Sequence, residues 1–194
     1  FVKNWGEHNL DNLMAASLAS NLSGVSCVKT SKMINELPQI PFRLETIYKD
    51  KKIEIVNDTT ATSPEGGIAA VYKFASPHCI LLSGGTDRNL EFREWAKIIE
   101  KNLKKENILL LEGSATNKML KYLKGVRTFD SFEDYVTDGL KKALGYRKSV
   151  LLFSPASKSF EKFKNEYDRG RQFNDIIKIA VHVGGKTRAQ HGID

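Results

Sequence analysis

Cys79-Ile80-Leu81-Leu82-Ser83-Gly84-Gly85-Thr86-Asp87-Arg88 passes without a break from apolar side chains into glycine, hydroxyl and charge. A continuous apolar run this short, closed by turn residues, is the pattern of a strand buried on both faces. Two more such runs follow, Ile108 to Leu111 and Val150 to Phe153, and each also ends in small or polar residues. Helical periodicity fills the gaps, over Glu65 to Ala75, Leu90 to Lys105, Ala115 to Leu123 and Phe132 to Leu144. Strands alternating with helices of this length make βαβ units. The expected fold is therefore α/β, a Rossmann-like, mainly parallel sheet with helices on both faces.

Upstream, Arg43 to Lys49 and Lys52 to Val56 read as strands of a hairpin around Asp50-Lys51. Asn9 to Leu22 carries Leu10, Leu13, Met14, Leu18 and Leu22 in a helical stripe, with Gly24 as its stop. Lys29 to Leu37 reads as a second short helix, closed by Pro38. Two helices alone cannot make a core. Residues 1–38 are thus expected to end a preceding domain, with 39–182 forming the α/β domain. Phe160 to Lys178 should add one or two closing helices, and residues 183–194 should be a loose tail. The chain opens on Phe1 rather than Met, so it is expected to begin inside a longer protein.

With 194 residues, 41% of them hydrophobic and 27% charged, the chain has material for one core plus an attached segment. No apolar run approaches the roughly 18 residues of a membrane span, and no leader pattern is present. No membrane partner and a cytoplasmic location are expected. The net charge of +7 comes largely from runs such as Lys101, Lys104 and Lys105, or Lys141, Lys142, Arg147 and Lys148. These fall on polar helix faces and ends and read as solvated surface, so no nucleic-acid partner is expected. Cys27 and Cys79 are far apart and read as buried thiols of a reducing compartment. His8, His78, His182 and His191 scatter without metal or triad spacing. Gly184-Gly185-Lys186-Thr187 resembles the end of a phosphate loop, but the required first glycine is Ala180 and no strand–loop–helix context is available.

Ligands of an open parallel sheet bind at the carboxyl ends of its strands. Here those ends read Asn57-Asp58-Thr59-Thr60-Ala61-Thr62, Ser83 to Arg88, Glu112-Gly113-Ser114, and Ser154-Pro155-Ala156-Ser157-Lys158-Ser159. Glycine lets a ligand approach the backbone, while hydroxyls and N–H groups receive anions. Ser, Thr and Asp are also ordinary capping residues. Together on one rim, these loops favour a binding site. Phe160, Phe163 and Tyr167 with Lys162, Lys164 and Arg169 could suggest a stacking stripe for RNA, but aromatics at helical spacing more often form a core face.

These loops carry a family resemblance. Gly6-Glu7-His8-Asn9-Leu10-Asp11-Asn12 resembles the G-x-H-N-x-x-N segment of the central ATPase domain of Mur ligases. Pro41-Phe42-Arg43-Leu44-Glu45 is similar to the P-H-R-(F/L)-E entry of their C-terminal domain. Asn57-Asp58 with Ala61-Thr62 resembles their N-D-S-K-A-T loop, and Gly84-Gly85 with Arg88 their G-G-x-x-K loop. Ser154 to Phe173 resembles the S-P-A-x-A-S-x-D-x-F-x-x-F-x-x-R-G-x-x-F run of the D-glutamate-adding branch. The resemblance runs from Gly6 to about Phe173.

It implies the C-terminal part of a three-domain ligase, with residues 1–38 as a two-helix remnant of the central ATPase domain. ATP would phosphorylate the carboxylate of UDP-N-acetylmuramoyl-L-alanine, and the amine of D-glutamate would attack the acyl phosphate. Mg2+ would be bound mainly outside this chain. By the resemblance Asn9 and Asn12 lie on the adenine side of ATP, Arg43 on its phosphates and Asp58 on its ribose. Thr62, Arg88, Ser159 and Phe160 would surround D-glutamate, and the protein would act as a monomer. No catalytic residue is assigned, and His8 has no settled role. The chain departs from the motifs at Phe42 for histidine, Thr60 for lysine, Arg88 for lysine, and Glu166 for the second aromatic of the last run. Two alternatives stand beside this reading: another Mur ligase or a folylpolyglutamate synthase-like enzyme, and a non-catalytic Rossmann-like binding module.

Overall fold

The structure, a computed structural model, describes residues 9–189, with side chains to residue 181. It divides into two compact units with the boundary between Pro41 and Phe42. The first holds helices α1 (Leu10–Leu22) and α2 (Cys27–Asn35), and neither buries a residue. The apolar residues of the expected α1 stripe are exposed at Leu10, Met14, Leu18 and Leu22. Ser26 caps α2, its Oγ accepting from Lys29 N. Cys27, expected buried, is exposed because it sits on this uncovered helix.

The second unit is built on a six-stranded sheet. Its strands are β1 (Glu45–Lys49), β2 (Ile53–Asn57), β3 (Cys79–Gly84), β4 (Ile108–Leu111), β5 (Arg127–Phe129) and β6 (Ser149–Phe153). The spatial order is β1-β2-β6-β3-β4-β5, all parallel except β1, which pairs antiparallel with β2. Asp50 makes the expected hairpin, its Oδ1 accepting from Lys52 N and Ile53 N at 2.7 and 2.8 Å. Crossovers between the parallel strands are α3 (Pro64–Phe74), α4 (Arg93–Asn102), α5 (Ser114–Met119) and α6 (Phe132–Leu144), and α7 (Glu166–Ala189) closes the fold. Capping fixes several starts: Ser63 Oγ accepts from Gly66 N ahead of Pro64, and Ser131 Oγ accepts from Asp134 N.

Continuous apolar strands divide between two cores because successive side chains point to opposite faces. Val56, Cys79, Leu81, Ile108, Leu110 and Leu152 pack with Ala70, Val71, Trp95, Ile99 and Met119 of α3 to α5. Ile55, Ile80, Leu82, Leu109, Leu151 and Phe153 pack with Tyr135, Val136, Leu140, Phe173 and Ile177 of α6 and α7. Burial pushes the Cys79 thiol up to about 12, so it serves as an apolar core atom.

The structure departs from the sequence reading in three places. β5 was not foreseen, since three residues at a sheet edge carry too little pattern to read. Residues 160–165 form turns rather than a helix, and one long helix starts only at Glu166. That helix runs on through residues 183–189, expected as a loose tail. Once nucleated, a helix gains one bond per residue, which carries it past the unfavourable Gly184 and Gly185. Among the described residues no helix is long and apolar enough to cross a membrane.

Candidate functional site

β6 lies between β2 and β3, although it comes last in the chain. The crossovers α3 to α5 cover one face, while α6 and α7 cover the other. Beside β6 the chain therefore leaves the carboxyl ends toward opposite faces, which is where open α/β sheets place ligands. The loops after β2, β3, β4 and β6 gather there, and specific bonds knit them together.

Asp58 opens the loop after β2. It is 3% exposed, with Oδ1 accepting from Leu44 N at 3.0 Å and Oδ2 from Ser154 Oγ at 2.8 Å. Burial pushes its carboxyl up to about 7, against the opposing pull of those hydrogen bonds and of the Arg43 and Lys73 cations. Both oxygens of this expected ribose contact are thus engaged by the protein. Its neighbour Asn57 donates to Gly170 O and to Asn174 Oδ1, tying β2 to α7.

Arg169 was not singled out as a site residue, yet it is the main fastening of the rim. Its guanidinium is 1% exposed and donates to Thr59 Oγ1, Thr59 O, Ser157 O and Lys158 O at 2.8 to 3.1 Å. It also lies 6.0 Å from the centre of the Phe153 ring. Burial lowers its pKa to about 10, still charged at neutral pH. A helical arginine reads as surface from sequence; only the Arg169-Gly170 pair in the quoted run could have flagged it.

The loops after β3 and β6 form a short antiparallel bridge, Thr86 N to Lys158 O at 2.9 Å and Lys158 N to Thr86 O at 3.0 Å. Glu161 adds a third tie. Its carboxylate accepts from Ser114 N and Ser114 Oγ, and its own N–H donates to Thr86 Oγ1. Glycine is required at Gly85, where a Cβ would come within 2.6 Å of Lys158 O at φ +131°.

On this frame Arg88 is exposed, Thr62 half-buried and Phe160 exposed. Asp87 pairs with Lys118 at 2.5 Å, and Glu91 accepts from Tyr122 Oη, so neither acid is engaged with Arg88. Ser159 is 2% exposed, and its Oγ has no hydrogen-bond partner among the described residues; Ser157 Oγ shares that state. Ser159 does not sit at a helix N-terminus, although a helix is expected from Phe160 onward; the helix begins only at Glu166. The Ser159 carbonyl instead accepts from Lys162 N and Phe163 N to make an isolated turn. Of the aromatic stripe, Phe163 packs at 4.8 Å on Phe132 in the core, whereas Phe160 and Tyr167 face solvent. Arg43 is half-buried between Phe42 and Leu44. In the other unit, Asn12 Nδ2 donates to Asn9 Oδ1 at 3.2 Å. His8 lies outside the described residues. Among those described, no group of three His, Cys, Asp or Glu side chains could hold a metal ion.

No family model matches the chain. It is 33% identical over 180 residues to a UDP-N-acetylmuramoylalanine–D-glutamate ligase of Roseiflexus sp. strain RS-1, covering 89% of this chain and 38% of that relative. It is 37% identical over 156 residues to the enzyme of the same name from Borreliella afzelii, covering 76% of this chain and 33% of the relative. The chain thus spans well under half the length of these relatives. Among solved structures, MurF from Acinetobacter baumannii superposes with a TM-score of 0.63 at 15% identity, over 89% of this chain and 38% of that one. At that identity the likeness speaks for the fold.

Proposed function

The chain belongs to the Mur ligase family, and on that premise we propose that it forms the C-terminal, amino-acid-binding part of an ATP-dependent ligase. The proposed reaction joins D-glutamate to UDP-N-acetylmuramoyl-L-alanine, as in the relatives' names, and a nucleotide-linked substrate supports a cytoplasmic location. Phosphate transfer from ATP activates the muramoyl-alanine carboxylate; the amine of D-glutamate then displaces phosphate. Much of what a protein contributes to such a step is positioning and fixed charge.

The observation that carries this reading is the buried, unpartnered Ser159 Oγ on the loop bridged to the Arg88 loop. A buried hydroxyl without a partner is costly and points to a ligand group that completes it. Arg88 can grip one carboxylate of D-glutamate through paired N–H donors. Ser159 takes the other, with Phe160 beside it and Thr62 toward the amino-acid end. Arg43 faces the nucleotide phosphates, and Asn9 and Asn12 serve the adenine side. Asp58 acts at the ribose end through the backbone it fixes, since both its oxygens are engaged. Magnesium, which neutralises phosphate charge in such reactions, is held mainly by residues outside this chain. The relatives' names favour D-glutamate over another amino acid. The engagement of Arg169, and of Lys162 with Asp130, within the fold argues against a basic nucleic-acid face.

The test is kinetic. In the complete enzyme Arg88→Ala should raise the KM for D-glutamate about tenfold or more, with the KM for ATP little changed, since a charge-assisted bond contributes about 1.5–3 kcal/mol. Wild-type constants in both Arg88→Ala and Ser159→Ala would place the pocket elsewhere.

A further inference from the structure

Phe42 and Leu44 both adopt left-handed backbone conformations, at φ 64° and 47°. A bulky side chain rarely takes this region, and it persists only where the surroundings hold it there. Here the holding groups can be named. Phe42 N donates to Glu45 Oε2 at 2.7 Å, and Phe42 O accepts from both Thr60 N at 3.2 Å and Thr60 Oγ1 at 2.8 Å. Leu44 N donates to Asp58 Oδ1 at 3.0 Å, and its side chain is buried in the core shared with Val56 and Leu152. The Phe42 ring packs over Gly170 of α7, where an added Cβ would come within 2.7 Å of Cδ1, and meets Tyr167 edge-on at 6.2 Å.

Arg43 lies between these two residues. Its Cα–Cβ direction is set by a backbone that is fastened on both sides, at Phe42 and at Leu44. Fixing a cation in advance is what stabilises charge in a reaction without reorganisation at the moment of transfer. Thr60 stands where the family motif has lysine, and its hydroxyl supplies one of the two bonds to the Phe42 carbonyl.

We propose that Phe42 is a positioning residue whose backbone, locked by Thr60 and α7, aims the Arg43 guanidinium at the phosphates of a nucleotide. This rests on the reading of Arg43 given above. It requires Phe42 to act through Arg43 and not on the amino-acid pocket.

A double-mutant cycle in the complete enzyme tests it, with Phe42→Ala, Arg43→Ala and the pair, each checked for folding by circular dichroism. Phe42→Ala should lower kcat/KM for ATP roughly tenfold, as displacement of a catalytic group does, while the KM for D-glutamate stays within about twofold. In the Arg43→Ala background the same change should do nothing further. Losses that add in the double variant, or a shift in the D-glutamate KM alone, would overturn the proposal. If Phe42→Ala does not fold, Thr60→Val removes only the hydroxyl donor, and the same cycle applies to it. Should Arg43→Ala turn over like wild type, the nucleotide reading of Arg43 falls and the positioning role with it. A slow Arg43→Ala with additive losses sinks the positioning role alone.

Discussion

Asp58 shows how one side chain can link the rim to pH. Its carboxyl titrates near 7 in the folded protein, against 3.8 ordinarily, because burial outweighs its hydrogen bonds. Between those values the unfolded chain has released the proton and the folded chain has kept it. Stability should therefore fall as pH rises from about 4 to 7 and level off above. At about 1.4 kcal/mol per pKa unit the effect is of the order of a few kcal/mol. Asp58→Asn keeps an acceptor for Leu44 N, and its amide can donate to Ser154 Oγ, so the variant should lose this slope and gain stability on wild type at pH 8. Urea unfolding of both proteins at pH 5 and pH 8 measures it; equal slopes would show that Asp58 stays ionised when folded. The sequence shows Asp58 plainly as part of a motif, but not that it is buried. Arg169 was harder still. Its partners Thr59 and Ser157 lie 110 and 12 residues away, a meeting made by the sheet and not by any local pattern.

At the scale of elements, the helices and buried strands were legible because apolar period and capping agree, as in α6 with Ser131 before it and Lys141 and Lys142 at its end. The short edge strand β5 and the turns at 160–165 were not, since neither carries a period. Gly170 in α7 illustrates how packing reverses propensity. In an exposed helix, glycine to alanine gains up to about 1 kcal/mol. Here the added methyl would come within 2.5 Å of Thr59 Cγ2 and 2.7 Å of Phe42 Cδ1. Overpacking of this kind costs about 1–3 kcal/mol. Gly170→Ala should therefore lower the Tm by several degrees, at about 2–4 °C per kcal/mol for a chain of this size. A thermal melt in which the variant is the more stable protein would show that α7 can shift away from Phe42.

For the whole molecule, the late strand β6 in the middle of the sheet is what assembles the rim, drawing the loops after β2 and β3 to either side of its own. Strand order in a parallel sheet has no local signal, so the sequence could name the loops but not their neighbours. The same architecture bears on what the chain can do unaided. Its nearest match to a phosphate loop, Gly184-Gly185-Lys186-Thr187, lies inside α7 and not between a strand and a helix, so its N–H groups are committed to helical bonds. The sheet, by contrast, has apolar cores on both faces. The 194-residue chain is therefore expected to unfold cooperatively on heating while releasing no phosphate from ATP, with or without magnesium. Circular dichroism and a phosphate-release assay on the purified chain check both halves. Magnesium-dependent hydrolysis at about 1 s⁻¹ or faster, the range of working enzymes, would mean that this chain carries a complete nucleotide site, and that the division of labour argued here is wrong.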